Sequence, residues 1–327
     1  MRVLVVGGAG YVGSLTVQEL LAQGHEVVVL DSLVSGHAAA VPPEAELVVA
    51  DARDDEALGR LFSARRLEAV LHFAAYTVAS ESVRHPGRYF ANNVGSAICL
   101  LNACVAHDVG LFVFSSSAAV YGAPQSPPIV EQTPLRPINP YGESKAMVER
   151  LLPWYEAAHG LRYASLRYFN AAGAVGPLGE DHRPETHLIP RVLQVALGQM
   201  EAVPIYGAEY PTADGTCVRD YVHVQDLARA HLLALEHLAR GGESGAYNLG
   251  TGQGFSNLEV VEAARRVTGH PIPVRWEPQR PGDPPVLVAS AQRARQVLGW
   301  QPRYTSLEEM VASAWEWHRT HPHGYPD

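Results

Sequence analysis

The sequence predicts an α/β fold in which a doubly wound parallel sheet is joined to a smaller α+β substrate-binding domain. Three observations carry that expectation. The chain opens as strand, glycine-rich loop, helix and strand. Short apolar runs then alternate with helical segments to about residue 170, and beyond that point segments 174–186 and 276–285 turn rich in Gly, Pro and charge. The 327 residues suffice for two unequal domains. The first spans 1–170, with 225–250 returning to it; the second, 171–327, is therefore discontinuous.

Residues 2–6 are a continuous β-prone run, followed by Gly7-x-x-Gly10-x-x-Gly13 and a helical stretch carrying Leu15, Leu20 and Leu21 that ends near Gly24. Residues 25–30 read as a second buried strand closed by Asp31. This is the Rossmann order, in which loop amides and a helix N-terminus receive a pyrophosphate, and an acid at Asp31 accepts from a ribose diol while disfavouring a 2′-phosphate. NAD is accordingly expected over NADP.

Further strands are expected at 46–49, 69–73 and 110–114. Between the last two, Val94, Ala97, Ile98, Leu101, Cys104 and Val105 recur at spacings of three and four, one apolar stripe on a helix, which makes Cys104 a core residue. Asp51, Phe73, Ala74 and Asn92 fall at strand ends or a helix first turn, where open sheets bind ligands. Ser115, Ser116 and Ser117 follow the strand at 111–114, so at least one hydroxyl faces the same crevice unless it is spent on backbone. Six prolines, at 124, 127, 128, 134, 137 and 140, exclude a helix before Tyr141. A helix starts there, with Ala146, Met147, Leu151 and Leu152 as its apolar positions.

Tyr141 and Lys145 stand four residues apart, on one face of that helix, 24 residues after Ser117. An ammonium there is expected to stabilise a phenolate and lower the tyrosine pKa, making Tyr141 a general base. Taken alone the spacing also fits an ordinary solvated face.

The balance of 25 basic against 34 acidic residues, a formal charge of −9, opposes non-specific binding to nucleic acid or an anionic membrane. No window approaches 18 consecutive apolar residues and no basic, apolar, small-residue leader opens the chain, so a cytoplasmic protein is expected. Cys99, Cys104 and Cys217 form neither a CxxC pair nor an even framework, which argues for reduced structural thiols. The 15 histidines are scattered, with no compact ligand cluster in view, and no metal is expected.

More specific segments follow: Phe114-Ser-Ser-Ser-Ala-Ala-Val-Tyr121-Gly122, Leu166-Arg-Tyr-Phe-Asn170, Val218-Arg-Asp-Tyr-Val-His-Val224, Arg280-Pro-Gly-Asp283 and a terminal His321-Pro-His-Gly-Tyr-Pro-Asp. Together with the glycine loop and the Tyr-Lys pair, they resemble the extended short-chain dehydrogenase/reductase superfamily, and within it the UDP-glucose 4-epimerase family, over nearly the whole chain. The resemblance implies interconversion of UDP-glucose and UDP-galactose through a 4-keto sugar, with Tyr141, Lys145 and Ser117 catalytic. It implies NAD held by Gly7, Gly10, Tyr11, Val12, Gly13, Asp31, Ser32, Asp51, Ala52, Phe73, Ala74, Asn92, Ser115, Tyr141, Lys145 and Tyr168. It implies a UDP-sugar held by Ser117, Tyr141, Asn170, Leu188, Tyr206, Arg219, Tyr221, Arg280 and Asp283, and a homodimer through helices near 92–107 and 145–159. Without it, Arg219 beside Asp220 reads as a surface ion pair.

This sequence departs from the family at several places. Ala119 replaces a threonine, Thr77 stands where some relatives place a lysine near the cofactor, and His187 where some place an asparagine on the substrate. Leu287, in a position that controls access beside the sugar C2 substituent, leaves both plain and N-acetylated sugars open. Ala118 and Ala119, where 4,6-dehydratases carry an Asp-Glu pair, leave no acid for the C6 leaving group. A uronate-specific epimerase or decarboxylase and a non-catalytic NAD-binding sensor are the other readings, the latter disfavoured by the intact Ser117, Tyr141 and Lys145.

Overall fold

The computed structural model of the chain describes residues 1–124, 127–280 and 283–326. Seven strands form one parallel sheet: β1 (Arg2–Val6), β2 (Glu26–Asp31), β3 (Glu46–Val49), β4 (Ala69–His72), β5 (Leu111–Ser115), β6 (Arg162–Tyr168) and β7 (Gly245–Leu249). Their order across the sheet is β7-β6-β5-β4-β1-β2-β3. The direction of winding reverses between β1 and β4, so a crevice opens at their carboxyl ends. Val3 sits opposite both Val27 and Ala69, fixing the register at that point.

The central strands are buried on both faces, which is why they read as unbroken apolar runs and not as alternation. One face is covered by helix Tyr11–Ala22 and helix Val224–Ala239, with Trp300 sealing the same core. Helices Asp55–Ala64, Gly95–Ala106 and Pro140–His159 cover the other. The second core gathers helices Leu188–Ala196, Asn257–Thr268 and Leu307–Thr320 around the parallel strand pair Val203–Tyr206 and Val274–Glu277. The Gly245–Leu249 strand adds to β6, and the preceding helix Val224–Ala239 lies on the main sheet.

The stripe on helix Gly95–Ala106 differs from expectation in one respect. Ala97, Leu100, Leu101 and Cys104 face the core, whereas Ile98 is 37% exposed. A run of i→i+5 turns over Phe90–Val94 leads into this helix, and the wall it presents to the sheet centres on 97, 100, 101 and 104, with Ile98 on its flank. One continuous helical stretch, Pro86–Ala106, is long and apolar enough to cross a membrane by length and composition alone. Its buried face belongs to the sheet core, the ordinary reason for such a composition in a core helix.

Candidate active site

The glycine loop joins β1 to its helix by a turn that only glycine permits at two places. Gly7 has φ +82°, and a Cβ there would stand 2.5 Å from the Ala74 amide nitrogen; a Cβ on Gly13 would stand 2.1 Å from the Gly7 carbonyl oxygen. At Gly10 a Cβ would have a single neighbour at 3.4 Å, so the loop is open on that side. Gly10 precedes the helix without a side-chain cap. An uncapped helix N-terminus beside an open glycine is the cradle a pyrophosphate needs. Gly13→Ala is expected to pry the loop open, so that the purified protein retains no NAD on extraction and absorbance assay, while a wild-type preparation retains it.

Asp31 ends β2 nearly buried, accepting from the amides of Ala9 at 3.0 Å and Leu33 at 2.9 Å, and burial raises its carboxyl pKa. Each oxygen keeps a lone pair for a ribose hydroxyl. Ser32 beside it is exposed. Asp51 follows β3 and is clasped by the Arg53 guanidinium, which holds its carboxyl below the usual range. Ala52 turns its side chain into the core, leaving only its backbone to the crevice. The amides of Phe73 and Ala74 both donate to the Val6 carbonyl, drawing the end of β4 against the glycine loop. The Tyr11 phenol is engaged elsewhere, donating to the Gly173 carbonyl. Val12 packs at the edge of the core, and Thr77 is exposed.

The candidate reacting groups assemble at the carboxyl ends of β5 and β6. Asn139 caps helix Pro140–His159 by accepting from the Gly142 amide at 2.8 Å, which sets Tyr141 and Lys145 in its first turns. Lys145 is 3% exposed, donates to the Ser115 carbonyl at 2.7 Å and lies 4.9 Å over the Phe114 ring; burial brings its ammonium down to about 7. The Ser115 hydroxyl donates to the Tyr168 phenol oxygen at 3.0 Å. Ser117 accepts from the Ala119 amide at 3.1 Å, which leaves its own proton for the Tyr141 phenol.

The expectation that Lys145 lowers the Tyr141 pKa is not met. Burial pushes the phenol well above its ordinary value, the neighbouring Tyr168 phenol adds to this, and only a hydrogen bond from Ser117 opposes it. Desolvation outweighs the lysine because that ammonium is itself buried and spent on a carbonyl.

On the second domain's side, Arg219 donates to the carbonyls of Val218 and Pro284, both at 2.9 Å, and Leu287 lies opposite it in a parallel strand pair. The surface ion pair between Arg219 and Asp220 does not form. Asp220 is fully buried and accepts from the amides of Thr251, Gly252 and Ala289 and the Thr251 hydroxyl, fastening three loops. Tyr221 is buried, and its strand pairs with Asn170–Ala172, which brings Asn170 beside it. The Arg280 guanidinium stacks 3.6 Å over the Tyr206 ring; hydrogen bonds from Arg280, then Arg191, lower that phenol's pKa. Asp283 follows Arg280, its amide on the Arg280 carbonyl, while Pro281 and Gly282 between them, and Asp327 of the terminal motif, lie outside the described residues. Leu188 opens helix Leu188–Ala196.

Sequence reasoning missed three groups. Asn93, beside Asn92, donates its amide group to Ser144 at 3.0 Å and so braces helix Pro140–His159. Glu149, one turn beyond Lys145, forms a buried pair with Arg167 and accepts from Ser116. The third overturns the absence of a ligand cluster: Glu180, His182, Glu185 and His187 bring four ligand atoms within 4.8 Å of one another. Glu180/His182 and Glu185/His187 each keep a spacing of two, but the step of three between them breaks the period, which is why a pattern search passes over the set.

The family model described as NAD dependent epimerase/dehydratase family matches residues 3–250. The chain belongs to that family. It is 54% identical over 99% of its length to a UDP-glucose 4-epimerase of Halalkalibacterium halodurans, covering 98% of that protein. A crystal structure of a UDP-glucose 4-epimerase superposes with a TM-score of 0.97 at 49% identity, covering all of both chains. That of the Bifidobacterium longum UDP-glucose 4-epimerase, in complex with NAD⁺ and UDP, gives 0.94 at 38% identity over 99% of this chain and all of the other. This epimerase-family chain therefore uses NAD, and the glycine cradle and Asp31 fit that cofactor.

Proposed function

We propose that the chain interconverts UDP-glucose and UDP-galactose, inverting the sugar at C4. The observation that carries the reading is the convergence of Ser117, Tyr141 and a buried Lys145 at the carboxyl end of the sheet, beside the NAD cradle. When bound, NAD takes a hydride from the sugar and returns it, with a 4-keto sugar between the two transfers. Tyr141 takes the proton of the 4-hydroxyl, directly or through Ser117, and later gives it back. Arg219 and Arg280 hold the diphosphate by charge, Tyr206 offers its ring to the uracil, and Asn170 and Tyr221 flank the sugar. This tether lets the keto sugar turn over without escaping. Ala118 and Ala119 leave dehydration without an acid.

Incubating the purified protein with either sugar nucleotide, without added cofactor, and resolving the products tests the reading. Interconversion supports it; no reaction after NAD is supplied, with turnover of UDP-glucuronate instead, replaces it with the uronate reading.

The Tyr-Lys pair gives a pH dependence whose sign is fixed. Removing the ammonium disfavours the phenolate, so Lys145→Met moves the acid limb of the kcat profile to higher pH and lowers kcat at neutrality by about 10²-fold or more. A profile with an unmoved acid limb would refute the role. The working unit is a homodimer in the cytoplasm: Ile98, Met147 and Trp154 leave apolar surface on helices Gly95–Ala106 and Pro140–His159, at 37%, 36% and 74% exposure. Sedimentation equilibrium checks this, and a monomer at working concentration removes the claim.

A further inference from the structure

The loop between strand Asn170–Ala172 and helix Leu188–Ala196 divides the side chains of residues 180–183 between two sets of partners. Asp181 faces His37 and the Tyr325 amide, and Arg183 pairs with Asp181. Glu180 and His182 point instead to Glu185 and His187. His182 Nδ1 lies 3.1 Å from Glu180 Oε1 and 4.0 Å from a Glu185 oxygen, while His187 Nδ1 lies 2.8 Å from both Glu180 Oε1 and Glu185 Oε1.

Two features separate this cluster from surface acids that happen to meet. Both carboxylates are nearly buried, at 7% and 6% side-chain exposure, and both converge on the same imidazole nitrogen. Glu185 Oε1 also accepts from the amides of Thr186 and His187, whereas Glu180 meets the two imidazoles, so the compensation of the buried Glu180 anion depends on the cluster itself. Two imidazoles and two carboxylates form an N2O2 set of borderline donors, the kind a tetrahedral divalent ion takes. Metal–ligand bonds of about 2.0–2.1 Å put tetrahedral ligand atoms about 3.3 Å apart. The 2.8 Å pairs need to open by only about half an ångström to reach that. His187, 45% exposed in its side chain, and His182, at 30%, have the freedom to give it.

We propose that Glu180, His182, Glu185 and His187 bind one divalent transition metal, zinc by the chemistry of the donors, as a structural staple of the 180–187 loop. The ion pins the segment that leads into helix Leu188–Ala196 and takes no part in the proton transfers at Tyr141. Its binding does not depend on the epimerase reading. Its expected effect on catalysis does rest on it: because Leu188 is placed beside the nucleotide, loss of the metal raises KM for the sugar nucleotide and leaves kcat nearly unchanged.

The test is titration of the NAD-containing enzyme, dialysed against a chelator, with Zn²⁺ by calorimetry and with Co²⁺ by visible absorption. The expected result is one ion per chain, intense four-coordinate Co²⁺ bands, and affinity weakened by about 100-fold or more in His182→Ala/Glu185→Gln. The exposed-histidine variant His323→Ala should bind as wild type does. Retained NAD and circular dichroism establish that the double variant folds; if it does not, the partly exposed His182→Gln alone gives the same readout. No binding to the wild type, equal binding in the cluster variants, or weak six-coordinate Co²⁺ spectra throughout would overturn the proposal.

Discussion

Tyr141→Phe is expected to lower turnover by about 10³-fold or more at pH 7 while leaving the bound NAD content unchanged. The phenol sits in the first turn of a helix capped by Asn139, with the Ser117 hydroxyl as its hydrogen-bonding neighbour. Removing one oxygen deletes the group proposed to take and return the 4-hydroxyl proton; general acid–base catalysis of this kind carries about 10²–10⁴. The folded state loses little, because a buried phenol becomes a buried ring of nearly the same volume. Two readouts separate the outcomes: epimerisation by product chromatography and NAD by extraction. Lost turnover with lost NAD would mean collapse of the cradle, and retained turnover would end the assignment of Tyr141 as base.

That the phenol must ionise at all is a demand the protein alone does not meet, since burial raises its pKa. The demand would be met by the positive charge that NAD⁺ would supply when bound, together with a protonated Lys145. Burial brings the lysine to about 7 and raises the tyrosine, so in the protein alone the lysine is the member of the pair that titrates near neutrality.

Much of this was legible in the sequence, for identifiable reasons. The parallel sheet announced itself because strands buried on both faces must be apolar throughout, and the cradle did so because Gly7 and Gly13 admit no Cβ. That Ser117, Tyr141 and Lys145 come to the end of one strand was legible from spacing once they were placed after it. What stayed hidden depends on distant partners. Nothing local tells that Lys145 spends its ammonium on the Ser115 carbonyl, that Asp220 gathers three loops, or that four ligand side chains in an irregular loop face one point. Arg219 and Asp220 are adjacent, an arrangement that suggests an ion pair, yet Asp220, in the break between strands Val218–Arg219 and Tyr221–His223, is buried on backbone amides while Arg219 donates to carbonyls.

The buried pair behind the serine strand carries the second large effect. Arg167 and Glu149 are 6% and 8% exposed; the guanidinium makes three bonds to the carboxylate and another to the Tyr121 phenol at 2.8 Å, which in turn donates to Asn248 at 2.6 Å. Ser116, between Ser115 and Ser117, donates to the same carboxylate. Arg167→Met leaves that carboxylate buried without its cation and should cost about 3–5 kcal/mol, read as a lower denaturation midpoint of the NAD-bound enzyme. Removing both charges, with Arg167→Met and Glu149→Leu together, should recover most of that loss, because two apolar groups of similar size desolvate cheaply. Activity should not recover with it. The double replacement still frees Ser116, so the segment that positions the Lys145 acceptor and the Ser117 hydroxyl loses its anchor, and kcat stays depressed at temperatures where the protein is folded. Recovery of both stability and kcat would make the pair a folding device alone; recovery of neither would mean that the cavity, not the charge, dominates.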